Sequence, residues 1–264
     1  MFSAIWYIAN NINNDTAKII YSMASAVKNH ARELNIKIIR ADSHSSSIFE
    51  RMTGIFKRAD VWHLFGNAPI FWNFIRLHSK TVHTKINGNI KKWSGQPSYF
   101  FKNQILHGEY LLLPAFGSAS VSSDKDKAIY TDSPERISDY TKNYEDDYKI
   151  INLADREVPH EALSGIYITY DDGILSALRC GLLAMRGLAI ASVKSEYLNE
   201  ILAPDGYFLI DDDSDMNKII RYGLTDKGRH LAISARHFIK TRHSDEKSAE
   251  SIFNLYRSIA GGKI

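Results

Sequence analysis

Residue type and spacing point most directly to chemistry at Asp171-Asp172-Gly173. An apolar, strand-like run over 166–170 leads into this triplet, and a helix-like stretch over 174–186 follows it until Gly187. A strand that turns through glycine into a helix aims backbone N–H groups and the positive end of a helix dipole at one place. That place suits an anion. In an open parallel sheet it lies outside the carboxyl ends of the strands, where nucleotides bind. Asp171 and Asp172 can accept hydrogen bonds from sugar hydroxyls. An Asp before a helix is also a stabilising N-cap, so one carboxylate can cap while the other binds.

His63 and His83 fall on or near the ends of earlier strand-like runs. Each can contact a donor or acceptor or take a proton, or can simply be hydrogen-bonded within a strand. Asn87-Gly88 is either a ligand contact or a turn. Glu200 reads as a ligand at a helix start, and Glu196 as part of a solvated face. The stretch 76–102 holds Arg76, Lys80, Lys85, Lys91, Lys92 and Lys102 but no Asp or Glu, with Trp93, Tyr99, Phe100 and Phe101 interleaved. It fits an anionic acceptor at a membrane face, single-stranded nucleic acid, or an ordinary solvated face. The ten histidines have no metal-ligand spacing, so no metal is expected. His230, His237 and His243 read as solvated or dipole-complementing residues of the final helices, and Cys180 as a small core residue. There is no P-loop and no Gly-x-Ser-x-Gly elbow.

Strands and helices must position these groups, and the chain alternates them. Apolar runs at 4–9, 36–39, 61–66, 81–86 and 110–114 read as strands, and Asn14 or Asp15 is placed to cap a helix carrying Ile19, Ile20, Met23 and Val27. Helices are expected over 48–59 and from Pro69 to residue 77. The small, polar segment 117–126 reads as a linker, and a second series of strands follows at 127–131, 149–153, 166–170, 188–192 and 207–210. Alternation of this kind predicts βαβ units with parallel sheets. The expected architecture is therefore α/β, with two Rossmann-like domains spanning 1–120 and 121–264. With 264 residues and 44% hydrophobic content, two packed cores are attainable. One cysteine excludes an internal disulfide and accords with a reducing cytosol. The N-terminus looks like a first strand rather than a signal peptide, and a net charge of +3 does not by itself imply nucleic acid.

Roughly the last hundred residues resemble the nucleotide-sugar-binding domain of GT-B glycosyltransferases of family four. Ala184-Met185-Arg186-Gly187-Leu188-Ala189-Ile190-Ala191-Ser192 is similar to the family's small and apolar stretch, glycine, and strand ending in Ser. Asn199-Glu200-Ile201-Leu202 resembles its Pro-Glu-Ile-Val, and Asp205-Gly206-Tyr207-Phe208-Leu209-Ile210 its Asp-Gly-x-x-Gly-x-Leu-Val. In the first half, Asp60-Val61-Trp62-His63-Leu64-Phe65-Gly66 is similar to Asp-Val-Val-His-x-His-Gly, and Asn87 stands where a His-Gly strand end would carry its His.

The resemblance implies a glycosyltransferase that moves a sugar from a nucleotide-sugar donor to a cell-surface glycan or lipid-linked acceptor. Anomeric configuration would be retained, the donor being a substrate and no cofactor being needed. Donor and acceptor would meet between the two halves. It implies catalytic or acceptor-side roles for His63, His83 and Asn87, and donor contacts for Asp171, Asp172, Gly173 and Glu200. The family's second acidic group is missing, because Leu182 or Ser176 fills its slot. Its diphosphate-gripping cations have no clear counterpart, and Arg136, Lys142 or Arg156 could serve in their place. The expected setting is the cytoplasm or the inner membrane face. A DNA-base transferase of phage type and a partner protein without turnover are the alternative readings.

Overall fold

A computed structural model describes residues 2–41, 59–67, 75, 80–84, 114–116, 127–141 and 148–260, together with the backbone of 94–95, 98–101, 104–107 and 110–111. Asn87, Lys142, the linker 117–126, almost all of the helix expected over 48–59, and most of the basic stretch 76–102 lie outside the described residues.

In the first unit, β1 (Phe2–Ile8), β2 (Leu34–Arg40), β3 (Val61–Phe65) and β4 (Lys80–Thr84) form a parallel sheet in the order β2-β1-β3-β4. β3 is buried at every position, so apart from His63 its sequence is an apolar run rather than an alternating one. Ile5, Tyr7, Trp62, Leu64 and Ile75 pack together in the core of this unit. The helix α1 (Asn14–His30) buries Ile19, Ile20, Met23 and Val27 at helical spacing. Its N-cap is Asn13, whose Oδ1 accepts from Thr16 N at 2.8 Å, and not Asn14 or Asp15. Two short antiparallel pairs follow β4: β5 (Ser94–Gly95) with β8 (Tyr110–Leu111), and β6 (Ser98–Phe101) with β7 (Gln104–His107).

The second unit contains β9 (Ala128–Thr131), α2 (Pro134–Thr141), β10 (Lys149–Asn152), β11 (Gly165–Thr169), α3 (Ile174–Met185), β12 (Ala189–Ser192), α4 (Glu196–Leu202), β13 (Phe208–Leu209), α5 (Met216–Gly223) and α6 (Asp226–Arg242). Its five strands are all parallel, in the order β10-β9-β11-β12-β13. Ile129, Ile166, Ile168, Ala189, Ala191 and Met216 belong to its core. Gly187, at φ +105°, ends α3 where the sequence predicts, because an L side chain would be strained there.

The last helix, α7 (Asp245–Ala260), packs on α1, and the buried residues Ile252, Leu255, Tyr256 and Ile259 recur on it at helical spacing. The compact units are therefore Met1–Ala115 with Asp245–Ile264, and Phe116–Ser244. This differs from the expected division at 120/121, which assigned every closing helix to the second half. No helix among the described residues is long and apolar enough to cross a membrane.

Candidate functional site

Each unit brings candidate residues to the carboxyl edge of its own sheet. In the first unit the strand order reverses direction between β1 and β3. The loops leaving these strands meet there: Ala9 N donates to Phe65 O at 2.9 Å, and Asn67 N to Asn11 Oδ1 at 2.9 Å. Gly66 lies between them at φ +98°, where an added Cβ would sit 2.6 Å from Asn11 Oδ1. Only glycine permits that approach. His83, half-buried on β4, donates its Nε2–H to Gly66 O at 2.7 Å.

His63 is fully buried rather than poised at an edge. Its Nδ1 lies 2.7 Å from Tyr256 Oη and its Nε2 lies 2.7 Å from Thr84 Oγ1. Its ring stacks on Phe65 with centroids 4.1 Å apart. Burial, and then the nearby His83, push its pKa well below the ordinary histidine value, so the ring is neutral. With both nitrogens engaged inside the core, His63 joins β3 to β4 and α7. The catalytic role expected of it is corrected to a structural one. The tip of α1 is closed as well, because Asn13 caps it and Asp15 occupies its first turn.

The second unit offers the contrasting case. Its strand order reverses between β9 and β11, and α3 starts at that edge. Gly173 is the N-cap of α3, no side chain caps the helix, and its first turn holds no acid. Neither aspartate serves as the cap. Asp171 Oδ1 instead accepts from Gly173 N at 2.8 Å, which closes a turn ahead of the helix. The Asp172 side chain is exposed, while its backbone carbonyl accepts from Ser195 Oγ at 2.8 Å. Ser195 also caps α4 by accepting from Leu198 N. Beneath the tip, Thr169 Oγ1 and Ser176 Oγ lie 3.3 Å apart, and the buried Ser192 Oγ has no hydrogen-bond partner. An uncapped tip beside small hydroxyls can receive phosphate oxygens, with a dipole contribution of about 0.3–1 kcal/mol.

Arg136, in the first turn of α2, lies 3.6 Å over the Tyr170 ring, and its Nη2 is 3.0 Å from both carboxylate oxygens of Asp213. Burial and the Asp213 charge push the Tyr170 hydroxyl up to about 12, so it stays protonated. Arg156 is exposed on the turn after β10. Glu200 is not at a helix start: it sits in the second turn of α4, half-buried, and its carbonyl lies 3.1 Å from His243 Nε2. His243, the C-cap of α6, is buried edge-on to Phe116, so of the two expected roles the solvated one does not hold for it, whereas His230 and His237 are exposed. Cys180 is buried, as expected of a core residue. Leu182 and Ser176, the residues in the slot of the missing acid, are both buried in α3. Among the described residues, no group of three or more His, Cys, Asp or Glu could hold a metal ion.

Sequence reasoning did not single out Ser195, Tyr170, Asp213 or Arg179. Ser195 carries a local signal, an N-cap residue placed just before a helix. Asp213 stands in a visible acidic run, but its partner lies 77 residues away.

No family model matches the sequence, and no curated protein matches it. Among solved structures, the chain is similar to WaaG, described as a glycosyltransferase involved in lipopolysaccharide biosynthesis. The TM-score is 0.48 at 10% identity, over 94% of this chain and 99% of that one.

Proposed function

We propose that this chain is a glycosyltransferase that moves a sugar from a nucleotide-sugar donor to a glycan or lipid-linked acceptor, with retention at the anomeric carbon. The observation that carries the proposal is the tip of α3 at the carboxyl edge of a five-stranded parallel sheet, which has no side-chain cap and no acid in its first turn. The sequence resemblance of the same segment to a nucleotide-sugar-binding domain supports it. The α3 amides would receive a donor phosphate, with Arg136 and Arg156 as counter-charges. A helix tip and cations can neutralise a departing diphosphate without further chemistry from the protein. Asp172 would accept sugar hydroxyls, since the Asp171 carboxylate is already engaged by Gly173 N. His83 and Asn87 would serve the acceptor side. In the transfer, the bond from the anomeric carbon to the diphosphate oxygen breaks. The bond to the acceptor oxygen forms on the same face, and the acceptor proton passes to the departing diphosphate.

Thermal unfolding against a panel of UDP-, GDP-, ADP- and CMP-sugars tests this. One member should stabilise the protein by about 2.7 kcal/mol when present at about 100 times its Kd. Asp172→Ala should keep the ligand-free melting point and lose the extra stabilisation that the sugar adds over the bare nucleotide. A flat response to every donor would end the proposal. The empty acidic slot in α3 favours a second reading, a binding protein without turnover. That reading predicts stabilisation by a donor with no nucleotide released when acceptor glycans are added.

A further inference from the structure

Parallel strands are usually joined by a crossover helix. The connection from β10 to β11 passes from one side of β9 to the other, yet residues 153–164 contain no helix. One side chain of α3 fastens the start of this connection. Arg179 Nη2 donates to Leu153 O and, at 2.7 Å, to Arg156 O, while Nη1 lies 3.8 Å from Asp132 Oδ1. Asp132 follows β9 directly, and its other oxygen accepts from the Tyr167 hydroxyl. The two carbonyls are the ends of a tight turn, closed by Arg156 N donating to Leu153 O at 3.1 Å. The turn is tied to β9 by Leu153 N donating to Thr131 O at 2.8 Å, and Asn152 Oδ1 accepts from Ala154 N at 2.9 Å. With the backbone held at both ends, the turn presents the exposed side chains of Asp155 and Arg156 at the carboxyl edge.

A guanidinium that is only 15% exposed is an expensive way to secure a loop, since apolar packing does so at lower desolvation cost. Its Nη2, however, donates to both carbonyl ends of the turn while Nη1 faces the Asp132 charge, which gives the turn a direction that an apolar contact does not. We propose that Arg179 is a positioning residue: it sets the 153–156 turn so that Arg156 is held ready for a diphosphate at the edge of the second sheet. The inference rests on the donor reading above.

Titration of the full chain with UDP, GDP and ADP tests it in four proteins: wild type, Arg156→Ala, Arg179→Lys and the double variant. Lysine keeps the charge but not the fork. Loss of one exposed cation should weaken the best diphosphate about fivefold, the equivalent of about 1 kcal/mol. Arg179→Lys should weaken it by a similar factor, and the double variant should bind no more weakly than either single one. Trypsin should also cut after Arg156 faster in Arg179→Lys than in wild type. A merely structural Arg179 would lower the melting point without coupling to Arg156. The inference is therefore overturned if the two factors multiply, or if Arg179→Lys binds like wild type. If wild type binds none of the three diphosphates, the donor reading falls and takes this inference with it. If wild type binds but the coupling is absent, the donor reading stands and only the role of Arg179 fails.

Discussion

His63 makes the first unit sensitive to acid, in a way that can be worked from its surroundings. The folded ring is neutral, held by Tyr256 and Thr84 and pushed well below its ordinary pKa by burial. In the unfolded chain it titrates near its ordinary value of about 6.5. Below about pH 6.5 the unfolded chain therefore binds more protons than the folded one. The contribution of His63 to stability is complete above that pH. It is lost as pH falls toward the folded-state value, at up to about 1.4 kcal/mol per pH unit. From about pH 7.5 to about pH 5.5 the loss is about 1.4 kcal/mol. All four tryptophans (Trp6, Trp62, Trp72 and Trp93) lie in the first unit, so urea unfolding followed by tryptophan fluorescence reads that unit. Comparison with His63→Gln, whose amide can still donate on one side and accept on the other, removes the contribution of every other titrating group. Wild type should lose about 1.4 kcal/mol more than the variant over this interval. His63→Phe should be weaker at both pH values, because each stranded buried hydroxyl costs about 1–3 kcal/mol. Equal pH dependence in wild type and His63→Gln would refute a neutral, buried His63.

Gly66→Ala, which forces a Cβ to 2.6 Å from Asn11 Oδ1 at positive φ, should destabilise the first unit by about 1–3 kcal/mol in the same fluorescence assay. Ser195→Ala removes the cap of α4 and the tie to the Asp172 carbonyl, and calorimetry should record a loss of about 1 kcal/mol in the second unit. Asp213→Asn should leave the melting point nearly unchanged, since a half-exposed ion pair contributes about 0–1 kcal/mol. It should also strengthen diphosphate binding at low salt by releasing Arg136. Weaker binding in a titration would mean that Asp213 instead orients Arg136 for the ligand.

What the sequence made legible was governed by range. Inner strands covered on both faces are near-continuous apolar runs, and this shows in any short window, as in Val61–Phe65 apart from His63 and in Gly165–Thr169, whereas the edge strands Leu34–Arg40 and Lys149–Asn152 carry exposed polar residues. The turn into α3 and its end at Gly187 are equally local, so both were readable. The choice of Asn13 over Asn14 or Asp15 as the cap of α1 was a shift of one or two residues, the usual uncertainty of helix boundaries. The failures came from partners distant along the chain. His63 reads as a catalytic candidate from its strand alone. The hydroxyls that make it a core residue come from 21 and 193 positions away. The helix carrying one of them, α7, looks like any closing helix until Tyr256 is seen against β3.

A distant partner also separates the two aspartates at the α3 tip. By sequence, either could cap while the other bound. The structure assigns neither as the cap, since Asp171 turns back to Gly173 N and Asp172 is anchored only through its carbonyl. The anchor is Ser195, 23 residues on, and it belongs to α4. A carboxylate at this position carries no hydrogen bond that stabilises the helix, and it sits next to amides that favour negative charge in a ligand. Such a side chain weakens anion binding at the tip unless it accepts a hydrogen bond from that ligand. The charge of Asp172 is therefore more consistent with a ligand that offers hydroxyls beside its phosphates than with phosphate alone. Inorganic pyrophosphate should accordingly gain affinity in Asp172→Ala, while a nucleotide sugar should lose it, and parallel changes for the two ligands would contradict the assignment.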